Sequence, residues 1–199
     1  MSAYKVSALL LAVLAVPAVA SESSAIAGVN LATSMSGTAQ AEFDQFGVTL
    51  EEDFDSNAFS VFLGYQTERN NRFKVSYESR SFALDKSNVT EDASGFRFDW
   101  DFVYGEEKVH PFWSIGFGFY TLEDPAILTG SNLEGDDLSG VSFQMAGGVK
   151  IDLADNLEAS IAFERQAIGW QEIEISYYDE TINMTYVHNS LNAGLLMRF

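Results

Sequence analysis

Residues 187–199 constrain this chain more than any other stretch. Counting back from the end, Phe199, Met197, Leu195, Ala193 and Leu191 are apolar, and Arg198, Asn192, Ser190 and His188 alternate with them. A period of two puts successive side chains on opposite faces of a β-strand, so one face is greasy and the other polar. Only Gly194 and Leu196 blur the pattern. A strand that runs to the last residue needs partners on both edges, because unpaired backbone groups beside an apolar face are costly. Two architectures meet that need: a soluble β-sandwich, or a barrel that this strand closes.

The opening residues carry a different signal. Lys5 precedes the apolar run 6–16, and Ala18-Val19-Ala20 supplies the small residues of a cleavage site. Residues 1–20 are therefore expected to be a secretory signal peptide, and 21–199 the mature single domain. The chain has no Cys, so an exported product must draw its stability from its sheet rather than from disulfides. After residue 20 no run approaches the ~18 apolar residues of a helical membrane span.

Alternation recurs along the rest of the chain. Ala27, Val29 and Leu31 begin it. An acid-rich stretch, 35–55, reads as a long loop. Phe59, Val61, Leu63 and Tyr65 then lead to a tight turn at Arg69-Asn70-Asn71-Arg72, where the Asn pair tolerates left-handed backbone. Phe73, Val75 and Tyr77 return against Lys74, Glu78 and Arg80. The clearest strand sets Phe96, Phe98, Trp100, Phe102 and Tyr104 against Arg97, Asp99, Asp101 and Val103. Residues 105–108 turn the chain into Trp113, Ile115, Phe117 and Phe119, and an acidic loop, 122–138, follows. Val141 to Ile151 and Leu157 to Phe163 alternate in the same way about a turn at Asp155-Asn156. The last long connection, 169–186, still looks strand-like at Ile173, Ile175 and Tyr177. The sum is about eight strands of roughly ten residues, joined alternately by short and long connections.

Two segments resemble a known family. Pro111-Phe112-Trp113-Ser114-Ile115-Gly116-Phe117-Gly118-Phe119 is similar to the P-Y-x-x-G-x-G strand, and 192–199 to the closing strand, of the outer-membrane β-barrel domain family of small porin-like and adhesin-like proteins. The resemblance implies an all-β fold, an eight-stranded antiparallel transmembrane barrel in the outer membrane of a Gram-negative cell envelope. Short turns would then face the periplasm and long acidic loops the exterior. It also implies that Leu191, Ala193, Leu195, Met197 and Phe199 form the signal read by the barrel assembly machinery. A fold of this kind does not by itself name an activity.

Parity places Lys74, Glu78, Arg80, Arg97, Asp99, Asp101, Lys150, Asp152, Glu158, Glu164 and Arg198 inside the barrel. A lumen this narrow is filled by side chains, so these charges are expected to form an ion-pair network that plugs it. The alternative is a narrow, low-conductance pore for ions or small solutes. Trp100, Tyr104, Phe112 and Trp113 towards one end, and Trp170 towards the other, are expected at headgroup level.

A formal net charge of -18 argues against nucleic acid as a partner. The acidic loops are expected to meet lipopolysaccharide and outer-membrane lipid, directly or through cations held weakly by Glu51, Glu52, Asp53 and Asp55 or by Asp136 and Asp137. Their spacing is no calcium-loop motif. Two His and no Cys leave no transition-metal set, and Gly116-Phe117-Gly118 lies in a strand rather than before a helix, so no cofactor is expected. His188-Asn189-Ser190, with Glu164 on the neighbouring strand, resembles the His-x-Ser element of outer-membrane lipid A deacylases. Parity opposes that reading, because it turns His188 and Ser190 away from the face of Leu191, and Leu191 displaces the following Asn. The expectation is a monomeric, non-enzymatic barrel with a structural or surface-interaction role.

Overall fold

The structure, a computed structural model, describes residues 24–105, 108–128, 135–175 and 180–199. The expected signal peptide lies outside the described residues, as do Glu106 and Glu107 of the expected turn and Tyr177 of the last connection. Alternating side chains build nine strands: β1 (Ser24–Phe43), β2 (Val48–Gln66), β3 (Arg72–Leu84), β4 (Thr90–Val103), β5 (Val109–Glu123), β6 (Leu138–Ala154), β7 (Leu157–Trp170), β8 (Ile173–Ile175) and β9 (Glu180–Arg198). Strands β1 to β7 pair in order, each antiparallel to the next, and β9 pairs with both β7 and β1, which closes the ring. The short β8 pairs with β9 and continues the line of β7 beyond a break at 171–172, Gly169 facing Thr185 and Ile173 facing Ile182.

Register fixes the tilt. From Val149 the ladder passes through Ile161, Ala193, Leu31, Phe59, Ser79, Ser94 and Thr121, and meets β6 again at Ser139, ten residues away along the strand. A stagger of this size in an eight-stranded ring tilts the strands about 40° from the barrel axis. Tight turns join the strands at one end, which we call the turn end. There Asn70 takes a φ of 60°. Its side-chain oxygen accepts a hydrogen bond from Gln66 Nε2 at 3.0 Å.

The opposite end departs from expectation. Residues 35–55 are not a loop: β1 and β2 stay paired to Phe43↔Val48, leaving only 44–47 as a turn. Acidic side chains suggest a loop when hydropathy alone is weighed, but here Glu42, Glu51, Asp53 and Asp55 occupy the outer face of a continuing hairpin. The expected loop 122–138 likewise loses both ends to β5 and β6, and 126–128 form a single 3-10 turn. β8 and the start of β9 continue the last connection as strand, in line with the alternation of Ile173 and Ile175. We call this the projecting end.

Polarity inverts along the axis. Over the half nearer the turn end the outside is apolar, with Leu63, Trp100, Phe117, Phe143, Ile161 and Leu195 all exposed, while the inside is charged. Towards the projecting end the inside becomes an apolar core around Phe54, Phe82, Leu122, Ile168, Trp170 and Tyr186. An apolar belt that encircles the barrel is far larger than a soluble surface tolerates and fits a lipid environment.

Candidate functional site

Strands β3 to β7 and β9 send charged or polar side chains into the lumen, where they are stacked in layers. Nearest the turn end, Arg72 at the start of β3 makes paired bonds to Glu158 of β7, at 2.5 and 2.7 Å. Arg198 Nη2 donates to the same carboxylate and to Asp152, both at 2.6 Å. His110 Nε2 lies 2.9 Å from Asp152. One level up, Asp101 is shared by Lys74 at 3.0 Å and Lys150 at 2.8 Å. The Lys150 ammonium also sits 4.3 Å from the centre of the Phe112 ring. Phe112, expected with Trp113 at headgroup level, is corrected to an inner position: it stands in phase with His110 and Ser114 and is 9% exposed.

The middle layer centres on Arg97. Its Nη1 donates to Glu78 at 2.8 Å, and its Nη2 to Glu164 at 2.7 Å and to Asp99 at 3.2 Å. Arg80 Nε donates to Glu78 at 3.0 Å, and Tyr120 donates its hydroxyl proton to the same oxygen at 2.9 Å. Gln144 donates to Asp99 at 3.1 Å. Gly116 makes room for this layer: a Cβ there would lie 2.4 Å from Asp99 Oδ1 and 2.6 Å from the Phe98 carbonyl. Between the layers the remaining cavity is about 50 Å³, room for a few waters only.

Across these three levels six cations (Arg72, Lys74, Arg80, Arg97, Lys150, Arg198) meet six carboxylates (Glu78, Asp99, Asp101, Asp152, Glu158, Glu164), so charge balances within the ion-pair layers. All eleven charged residues expected inside lie there. Arg72 was missed because its neighbours Asn70 and Asn71 mark a turn, although it stands in phase with Lys74, Glu78 and Arg80. The uncharged members Tyr120, Gln144 and Gln166 were missed as well. Only parity could have found them.

Above the ion pairs the lumen is sealed by rings. Phe54 and Phe82 meet edge to face at 5.2 Å, and Tyr186 packs on Phe82 at 5.2 Å and on Trp170 at 5.7 Å. Trp170, expected among the interface aromatics, is therefore corrected to an inner position. It is 7% exposed and lies against Gly140, whose missing side chain leaves space for the indole. Trp100, Tyr104 and Trp113 do face outward near the turn end, where Trp113 Nε1 donates to the Tyr104 hydroxyl at 2.8 Å and stacks on Phe102.

His188 and Ser190 are both fully buried inside the lumen. Neither His188 nitrogen has a hydrogen-bond partner, Ser190 Oγ points to Asn192, and Glu164 is engaged by Arg97. Among the described residues no chain of hydrogen bonds links acid, base and hydroxyl.

On the projecting end, Glu51 takes a hydrogen bond from Gln40. Glu52 accepts from the backbone N–H groups of Lys86 and Ser87, both at 2.6 Å. Its slight burial works to raise its pKa, but the Ser87 N–H and hydroxyl, then the Lys86 N–H and charge, outweigh that and hold the carboxyl below its ordinary value. Among the described residues no group of three or more ligating side chains gathers for a metal ion.

A family model described as "Outer membrane protein beta-barrel domain" matches residues 6–199. No curated protein matches the chain. Among solved structures, Neisserial surface protein A is 16% identical with a TM-score of 0.56, covering 88% of this chain and 97% of its own. The N-terminal β-barrel domain of Pseudomonas aeruginosa OprF is 13% identical, with 86% and 97% covered and a TM-score of 0.45. The outer membrane protease OmpT of Escherichia coli is 9% identical, with 88% and 97% covered and a TM-score of 0.44. At these identities the likeness is one of fold.

Proposed function

Because this chain belongs to the outer membrane protein β-barrel domain family and resides in the outer membrane, we propose that it is a closed, non-enzymatic barrel that reinforces the envelope and presents its projecting end as an interaction surface. The observation that carries this reading is the lumen itself. A charge-balanced ion-pair network fills it at the level of the apolar belt, and a ring of aromatic side chains stoppers it above. Parting a desolvated ion pair for a passing ion costs several kcal/mol by stranding buried charge, and an apolar constriction adds a second barrier.

In this reading the turn end faces the periplasm and the projecting hairpins face the exterior, where the acidic outer faces of β1 and β2 meet lipopolysaccharide, cations or a partner molecule. Trp100, Tyr104 and Trp113 sit at headgroup level. The C-terminal strand from Leu191 to Phe199, with alternate side chains turned to lipid, engages the assembly machinery. The buried, unlinked His188 and Ser190 speak against lipid A hydrolysis, and lipid A recovered unaltered from overproducing cells is the expected result.

The test is single-channel recording of the refolded protein in a planar bilayer, with heat-shifted gel mobility as proof of folding. A folded, silent barrel is expected. A steady conductance that changes when Arg97 or Glu164 is neutralised would replace this reading with a narrow pore.

A further inference from the structure

A cleft of about 430 Å³ opens at the projecting end, above the aromatic stopper. Its size is that of a small-molecule site. Leu50, Leu84, Ile127 and Met184 supply an apolar wall, drawn from β2, β3, the 3-10 turn and β9. Glu91 of β4 also lines it, although only 4% of that residue is exposed. Its carboxylate accepts from the Ala126 N–H at 2.9 Å and from the Tyr186 hydroxyl at 2.5 Å, both neutral donors.

Glu91 thus differs from every carboxylate of the ion-pair layers. Among the described residues no Lys, Arg or His lies within ion-pairing distance of it. The one ammonium in the cleft wall, Lys86, is turned aside, its Nζ donating to the Glu51 carbonyl oxygen at 2.7 Å. Glu51 and Glu52 add two more acids to the rim. A buried carboxylate without a counter-charge, at the edge of an apolar cleft with an acidic rim, is completed by a ligand that brings a positive head and a greasy body.

We propose that this cleft binds a small organic cation with a compact apolar body, its ammonium on Glu91 and its body against Leu50, Leu84, Ile127 and Met184. The inference deepens the surface-interaction reading by naming a ligand class. It rests on that reading for the ligand's access from outside, and not on whether the lumen conducts.

The probe is 2-phenylethylamine, titrated into the protein in lipid nanodiscs and followed by amide NMR shifts, with 2-phenylethanol as its neutral counterpart. Saturable shifts around Tyr186 and Ile127 are expected, with the alcohol at least about tenfold weaker. Glu91→Gln, close in shape, should bring amine and alcohol to equal affinity. Ile127→Trp, which fills the cleft from a turn outside the ring, should abolish binding of both. Absence of saturable shifts, equal affinity for amine and alcohol in the natural protein, or undiminished binding in Ile127→Trp would each overturn the proposal. The same sample placed in a planar bilayer separates the two readings. A silent barrel that ignores the amine sinks only the ligand site, and a conducting barrel that binds it sinks only the closed lumen.

Discussion

Arg97 touches three carboxylates at once, and its guanidinium is what lets Glu78, Asp99 and Glu164 share a narrow space. Arg97→Met should therefore cost about 3–5 kcal/mol of folding stability, since it strands buried charge rather than merely deleting a contact. Urea titration of tryptophan fluorescence in lipid bilayers would measure it. Adding Glu164→Gln should give back part of that loss, a non-additivity that a double-mutant cycle resolves. At Glu52 the prediction concerns pH. Its folded pKa lies below the unfolded value of about 4.3, so its hold on residues 86–87 is complete above that value and is lost as pH falls through the folded pKa. The Ser87 amide signal should titrate with a midpoint below about 4.3, and Glu52→Gln should leave it flat. The inward charges were legible from sequence because a barrel wall is one strand thick, so each side chain has only two directions to choose from. Arg72 and Trp170 obey the same parity. They were misjudged because residue-type habits, a turn beside Asn and a Trp at the bilayer surface, were given more weight than phase.

At the scale of the strand, the sequence marks where alternation exists but not where the membrane stops. β1, β2 and β9 are 20, 19 and 19 residues long, well beyond the roughly ten that span a bilayer at this tilt. Hydropathy loses the signal where the outer face turns acidic, yet the backbone ladder continues, because pairing depends on neighbours and not on which solvent the strand meets. Phe54 is the sign that the inner face has changed role: it sits on β2 in the same phase as Ser56 and Ser60, and packs where they hydrogen-bond or line the lumen. Phe54→Ala should cost about 3–5 kcal/mol, the penalty of a core cavity, with heat-shifted mobility retained. The hairpin tip offers an orthogonal check. Gly47 has a φ of 58° with open space around it, so an epitope inserted between Phe46 and Gly47 should leave the barrel folded and bind antibody on intact cells. Antibody binding only after the outer membrane is opened would reverse the assigned orientation.

For the whole molecule, balanced charge in the ion-pair layers and an acid excess beyond them predict a division of sensitivities. Ion pairs screened from solvent by the barrel wall should make the urea midpoint nearly independent of added sodium chloride, whereas binding of any cation to the projecting end should weaken steeply with it. A urea midpoint that fell with salt would mean that water reaches the network. The closing ladder carries a further consequence. β9 closes the ring by pairing with β7 just before it and with β1 at the start of the described chain, Ile26 facing Arg198 and Phe43 facing Ile182. Until it is in place, every intermediate has two raw edges and no inside. Ring closure thus works as a test of completeness written into geometry: a copy that lacks the last strand keeps two unpaired backbone edges, which lipid cannot satisfy.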